Sequence, residues 1–428
     1  MRSLMQSDMK NLSAKPLSSL SRSDLGPFTI LLHIALIIML VGACVTHFWG
    51  VQGEVHVRAD KAETVTVRQS IIPSIHHSVS LFLWDFQIVY AEDGETPVDY
   101  VSQLRLLDRS RHTEGEGMQV DEGEVRMNKP LKYHGWRFCQ SDYDSDGLGV
   151  VLSYNYDPWG IGITYTGYAL LLIGMIGFFF QKNTLFRAKL KQSVFGQRSG
   201  LYSACFIAVI VVLAAVMTKV VTPKPPLQPV LQTPLLGIHV SVIMLAYTLF
   251  AVIMINGIIA LVHIGVKKIN GKMVNDKMVN DKMANDKMVN DKMVNDKMVN
   301  DKMVNDKMVN DKMVNDKMVN DKMVNSLKTL SQVLLYPALF CLTAGIFIGA
   351  VWANLSWGRY WGWDPKETWA LITMFVYAAM LHLPVVLPKM KIKNYEVLYH
   401  VLGIVAFLFV LFTYFGVNRL LGGLHSYA

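Results

Sequence analysis

The chain has 428 residues, a net charge of +8, 52% hydrophobic residues and only 17% charged ones. A soluble domain of this size carries about a quarter charged residues, so the composition excludes an ordinary soluble enzyme. The sequence has neither a phosphate-binding glycine loop nor a basic-aromatic surface motif, which argues against nucleic acid as a partner despite the positive charge. The cysteines Cys44, Cys139, Cys205 and Cys341 contain no Cys-x-x-Cys pair, so a dithiol redox site is not expected.

In chain order, a polar and basic segment over 1–27 leads into an apolar run at 28–50. That run reads as a retained membrane helix, because no small-residue cleavage site follows a short apolar core. A bilayer core of about 30 Å needs roughly 20 apolar residues in helix. Seven stretches meet that length: 28–50, 159–180, 202–221, 237–265, 331–353, 369–387 and 397–417. Between the first two lies a long polar region, 51–158, with strand candidates at 54–58, 79–84, 101–105 and 150–154 separated by Gly, Asp and Asn clusters. The expected fold is a polytopic α-helical membrane protein of about seven spans with one β-rich extracytoplasmic domain.

Further along, residues 273–322 are ten tandem copies of Met-Val-Asn-Asp-Lys, one with Ala284 in place of valine. Five residues match neither the helix nor the strand period, so the reading here is a flexible linker within 266–330. Lysines and arginines orient the chain. The N-terminal tail, the 181–199 loop, Lys267 with Lys268, and the group Lys389, Lys391 and Lys393 all fall on one side of a seven-span count. That side is expected to be cytoplasmic, which puts the β-rich domain and the C-terminus outside. The resulting organisation is a tail and first helix (1–50), the β-rich domain (51–158), a second helix (159–180), helices three and four (181–265), the linker (266–330) and helices five to seven (331–428).

The loop between helices five and six reads Trp357-Gly-Arg-Tyr-Trp-Gly-Trp-Asp-Pro-Lys-Glu-Thr-Trp369. An interfacial aromatic belt explains one or two tryptophans, but not four that alternate with Gly358, Gly362, Asp364 and Lys366. Flat apolar faces beside a few polar groups suit a large planar ligand with charged edges, such as haem. Asp364 also reads as a loop organiser, with Pro365 as the first residue of helix six.

This loop resembles the tryptophan-rich signature of the CcsA (ResC) component of System II cytochrome c maturation. Two further strings are similar to that family, Pro229–Val240 around His239 and Gly423–Tyr427 around His425. The N-terminal third is similar to the end of the partner component CcsB (ResB), through Gly50–Val55 and Asn128–Phe138. The chain is thus identified as a fusion of the two modules.

The resemblance implies haem b as the transported ligand, held by Trp357, Gly358, Trp361, Trp363, Asp364, Lys366, Glu367 and Trp369. It implies His239 and His425 as axial ligands at an outer site. It implies His33 and His382 at an inner one. Helix rise places His33 and His382 about 8 Å from the cytoplasmic ends of their helices; His400 lies at comparable depth and stays an alternative, whereas His47 sits at the opposite end of its helix. Lys366 and Arg359 are candidate partners for the propionates. The implied location is a bacterial cytoplasmic membrane. The implied partners are an apocytochrome c with a reduced Cys-x-x-Cys-His segment and a thioredoxin-like thiol reductant. The implied activity is covalent haem attachment, with haem export to a separate ligase as the alternative.

Overall fold

The computed structural model describes residues 26–59, 61, 63–68, 76–108, 120–182, 184–193, 229–288, 296–389 and 395–421. Helix α1 (Pro27–Trp49) runs into an eight-stranded domain: β1 (Val51–Arg58), β2 (Glu63–Arg68), β3 (His76–Tyr90), β4 (Pro97–Asp108), β5 (Val120–Arg126), β6 (Leu131–Tyr133), β7 (Trp136–Tyr143) and β8 (Gly149–Tyr156). Helix α2 (Gly160–Phe180) follows, and then a short helix α3 (Leu185–Gln192). After a single 3-10 turn (Pro229–Leu231) come α4 (Pro234–Met288), α5 (Asp296–Ser356), α6 (Pro365–Lys389) and α7 (Tyr395–Leu411). A π turn (Phe412–Gly416) and a terminal helical turn close the described chain.

The strands form two antiparallel sheets, β1-β8-β7-β6 and β2-β3-β4-β5. Side chains alternate between the faces of a strand, so Val150, Leu152 and Tyr156 of β8 and Leu104 and Leu106 of β4 all turn inward. They meet Val79, Leu81, Trp136 and Phe138 in one core between the sheets. These two packed sheets, a β-sandwich, are the β-rich domain expected for 51–158. Its stem is continuous with the membrane helices: β1 pairs with β8 from Val51↔Tyr156 to Arg58↔Gly149, and one residue separates Val51 from the end of α1.

Among the described residues, six helices are long and apolar enough to cross a membrane: Pro27–Trp49, Gly160–Phe180, Pro234–Ile269, Lys322–Ser356, Pro365–Val386 and Tyr395–Leu420. The expected third span, 202–221, lies outside the described residues. On α1 only Ala35 and Gly42 are buried, while Ile37 and Leu40 lie on its exposed side, as a lipid-facing helix requires. Glycines on α2 let the two backbones approach, the way membrane helices associate without a hydrophobic driving force between them. A Cβ at Gly167 would come within 3.2 Å of the Ala35 carbonyl oxygen. A second, larger core joins α4, α5, α6 and α7 through Phe250, Leu335, Leu342, Tyr377 and Val410. Phe250 and Tyr377 stack there with their centroids 3.6 Å apart.

The repeat departs from expectation. Its described parts are helical, extending α4 to Met288 and starting α5 at Asp296. Hydropathy periodicity misses this because five-residue steps spread the apolar side chains around the helix. The same spacing sets each lysine four residues before the next aspartate (Lys277 and Asp281, for example). Opposite charges at that separation favour a helix by about 0.2–0.5 kcal/mol per pair. The repeat lies beyond both membrane-crossing stretches except for its last residue, Lys322, so shortening it to about two copies is expected to leave the thermal stability of the detergent-solubilised protein unchanged. A drop of more than a few degrees would mean that the repeat helices brace the bundle.

Candidate functional site

The tryptophan loop is built from its helical ends inward. Asp364 is the N-cap of α6: its Oδ1 accepts from Lys366 N at 2.9 Å. The Glu367 carboxylate reaches back to accept from Asp364 N at 3.3 Å and from Gly362 N at 2.8 Å. This is a capping box with proline as the first helical residue. The capping box accounts for Asp364 and Glu367 as loop organisers. It also tethers Gly362, so the cap and the loop are one unit.

The four tryptophans divide by environment. Trp369 turns inward against Phe412, with centroids 4.4 Å apart, and its carbonyl oxygen accepts from Thr373 at 2.8 Å and Thr413 at 3.3 Å. Trp357 meets buried Trp352 edge to face at 4.8 Å. Trp361 packs on both the helical core and Tyr360. Trp363 differs from the other three. It is 70% exposed, at right angles to Trp361 with 5.9 Å between centroids, and its φ is +55°. A bulky residue in the left-handed region costs of order 1–3 kcal/mol and persists only where its surroundings impose it. The capped loop imposes it here and holds the indole face outward.

The sandwich domain clamps the loop from the other side. Asn155 Nδ2 donates to the Gly358 carbonyl oxygen at 2.7 Å, Ser153 Oγ to that of Trp357 at 3.4 Å, and Ser356 Oγ to Asn128 Oδ1 at 2.5 Å. Gly358, at φ +75°, lies so close that a Cβ would stand 3.1 Å from Cys139 Sγ. A relay runs through the seam. Thr164 Oγ1 donates to Tyr360 OH (3.3 Å), Tyr360 OH to Thr46 Oγ1 (2.9 Å), and Thr46 to the Asp157 carboxylate (2.6 Å). Asp157 also accepts from Gly160 N at 2.7 Å, so one carboxylate ties the end of α1 and the start of α2 to the loop. None of Asn128, Asn155, Thr46 or Tyr360 carries a local sequence signal for this role, because their partners lie far along the chain.

Burial at the seam pushes the Cys139 thiol up to about 12, with Arg137 and Ser153 opposing only in part. At pH 8 the thiolate, which is the reactive form, is therefore nearly absent. Cys139 is expected to resist iodoacetamide in the folded protein and to react on unfolding. Rapid labelling of the folded protein at pH 8 would show that the seam opens.

His239 lies in the second turn of α4, not at the helix start that hydropathy placed at 237. Its Nδ1 is 2.7 Å from the Gly345 carbonyl oxygen of α5, which accepts only, so Nδ1 carries the proton and the lone pair falls on Nε2. A Cβ at Gly349 would come 2.7 Å from His239 Cε1, so α5 offers a glycine notch for the ring. His33 and His382 have the same tautomer, each with Nδ1 2.7 Å from the carbonyl oxygen four residues back (Thr29 and Ala378). Both are exposed on the sides of the bundle. Extensive packing of α1 is on α2, and α6 packs on α5 and α7, so the two histidines come from helices that do not pack extensively on each other. His400 is 2% exposed, with an Nε2 that has no hydrogen-bond partner among the described residues. Lys366 Nζ donates to Asn418 at 3.1 Å. His425 lies outside the described residues.

A family model described as cytochrome C assembly protein matches residues 162–425. The chain belongs to the cytochrome c assembly protein family. A second model, described as the ResB-like family, matches residues 25–156, so two modules are joined in one chain, as the sequence motifs indicated. The junction falls at the start of α2, where Asp157 and Thr46 hold the loop. Protein NrfI of Wolinella succinogenes is 49% identical over 102 residues, which is 24% of this chain and 11% of that protein. Cytochrome c biogenesis protein CcsA of Gloeobacter violaceus is 46% identical over 102 residues, 24% of this chain and 29% of the relative. The protein of the same name from Porphyra purpurea is 51% identical over 86 residues, 20% and 25% of the two chains. Each match thus spans less than a third of the relative's length. This cytochrome c assembly protein is an integral membrane protein whose ResB-like sandwich grips the tryptophan loop of its assembly module.

Proposed function

We propose that the chain carries haem to the sandwich side of a bacterial cytoplasmic membrane and presents it there for covalent attachment to an apocytochrome c. The observation that carries this reading is Trp363. Its exposed ring is held in a strained conformation by a helix cap on one side and a separate domain on the other, which is how a protein fixes an aromatic face for a planar ligand. Trp363 and Trp361 supply the apolar wall, Lys366 and Arg359 face the propionates, and His239 and His425 take the iron. The His239 tautomer supports this role, since a ligating histidine usually donates its other nitrogen to a carbonyl or carboxylate. His33 and His382 hold haem on the inner side of the bundle, which the basic 181–199 loop marks as cytoplasmic.

Attachment then follows from placement. Each substrate S–H adds across one vinyl C=C. A C–S bond forms at one carbon, the proton goes to the other, and no electron is gained or lost overall. The substrate thiols must arrive reduced, which a thioredoxin-like protein provides. The test is co-expression with a reporter apocytochrome in cells lacking their own maturation system, followed by a haem stain after denaturing electrophoresis. Stained reporter supports attachment. A haem-loaded protein with unstained reporter would instead identify an exporter that hands haem to a separate ligase.

A further inference from the structure

A groove of about 610 Å³ opens where the sandwich meets the approach to α4. Its walls include Glu95, Tyr100, Met127 and Asp142 of the sandwich, and Pro229 and Val230 of the 3-10 turn. Two features tie it to the tryptophan loop. Asn128, next to Met127 and at φ +60°, donates to the carbonyl oxygens of Pro229 (3.4 Å) and Val230 (3.2 Å) while its Oδ1 accepts from Ser356, the residue before Trp357. The 3-10 turn leads directly into the helix that carries His239. The Pro229–Val230 wall of the groove is therefore joined through Asn128 to the residue before the tryptophan loop and leads into the helix that carries His239.

The chemistry of the lining is one-sided. Glu95 and Asp142 are both exposed carboxylates, and among the described residues no lysine or arginine lines the groove, although the chain as a whole is at +8. The Tyr100 and Tyr143 rings tilt against each other with centroids 5.1 Å apart, and the Phe86 and Tyr143 centroids are 5.4 Å apart. Aromatic faces beside carboxylates attract a lysine or arginine side chain. The Asp142 carboxylate already accepts from Tyr143 N at 2.8 Å, which fixes its place beside the rings.

We infer that this groove binds a basic, extended segment of the haem-accepting polypeptide and so delivers the adjoining Cys-x-x-Cys-His to the tryptophan loop. The inference rests on the proposed attachment reaction for the identity of the occupant, and on the carboxylate and tyrosine lining for its charge.

The probes are two fluorescent peptides containing Cys-Ala-Ala-Cys-His, one preceded by three lysines and the other by three glutamates. Binding to the full chain in nanodiscs is read by anisotropy, with haem content measured on the same preparations. The lysine peptide should bind the wild type more tightly than the glutamate peptide. The double variant Glu95→Gln/Asp142→Asn should weaken the lysine peptide by about three- to tenfold, because exposed ion pairs are individually weak. Tyr100→Ala should weaken it further, and Glu95→Lys/Asp142→Lys should reverse the preference, a gain that misfolding cannot produce. Equal affinity for the two peptides, or affinities unmoved by all three variants, would overturn the groove assignment. Haem content separates the two readings. Charge-selective binding by a haem-free wild type would keep the groove and remove the haem reading, whereas unselective binding by a haem-loaded protein would do the reverse.

Discussion

Replacing His239 with alanine is expected to lower covalent cytochrome yield by about tenfold or more, since even the outer partners of metal ligands cost 10–100-fold in affinity when removed. The variant keeps its fold. The ring occupies a notch between α4 and α5, and its loss leaves the Gly345 carbonyl oxygen in a helix where its backbone role is independent of the imidazole. Imidazole added to the medium should fill the vacant position and restore part of the yield. A haem-to-protein ratio and cytochrome yield equal to wild type, without imidazole, would remove His239 from the ligand set. The His33→Ala and His382→Ala variants should lose haem in the same assay, while His47→Ala keeps it. Loss in His400→Ala with retention in His33→Ala or His382→Ala would relocate the inner site to the buried histidine on α7.

Gly358→Val is expected to destabilise the seam by about 2 kcal/mol. Valine is disfavoured at the φ of +75° found there, and its Cβ would stand 3.1 Å from Cys139 Sγ, with both partners buried. The loop must then pull away from Asn155, breaking the 2.7 Å bond to the Gly358 carbonyl oxygen. The measurements are thermal unfolding in detergent, haem content, and iodoacetamide labelling of Cys139. A lower melting temperature, faster labelling and reduced haem content should appear together. Stability lost with haem content unchanged would show that the loop works without the sandwich.

These two residues also mark what the sequence could and could not reveal. His239 stands out only through the resemblance of its segment, because a histidine at the outer end of an apolar run is by itself most simply an interfacial side chain. The six described spans are legible from hydropathy, the β-rich character of 51–158 from four strand-like segments, and the capping role of Asp364 from the proline that follows it. The seam was not, because the bonds from Thr46 to Tyr360 and from Asn155 to Gly358 join residues more than 200 positions apart. Nothing local distinguishes such an asparagine from a surface one. The repeat was misread for a different reason: its helix comes from charge spacing and not from an apolar stripe, so a search for an amphipathic face passes over it. Among the tryptophans, spacing alone could not separate Trp369, which packs inward, from Trp363, which the capped loop holds outward in a left-handed conformation.

The stem of the sandwich sets how force travels through the molecule. Because β1 and β8 pair up to Val51 and Tyr156, and Thr46 is bonded to Asp157 just below, the domain has no swivel at its base. It and the α1–α2 pair behave as a lever, with the fulcrum at the membrane surface. His33 lies 16 residues below Trp49, an arm of about 24 Å, so a tilt of about 10° would sweep its ring sideways by about 4 Å. A polypeptide that settles on the sandwich and tips it would therefore displace a side chain near the far surface of the bilayer. Any such tilt also loads the Asn155–Gly358 bond, so the tryptophan loop either moves with the sandwich or lets go of it.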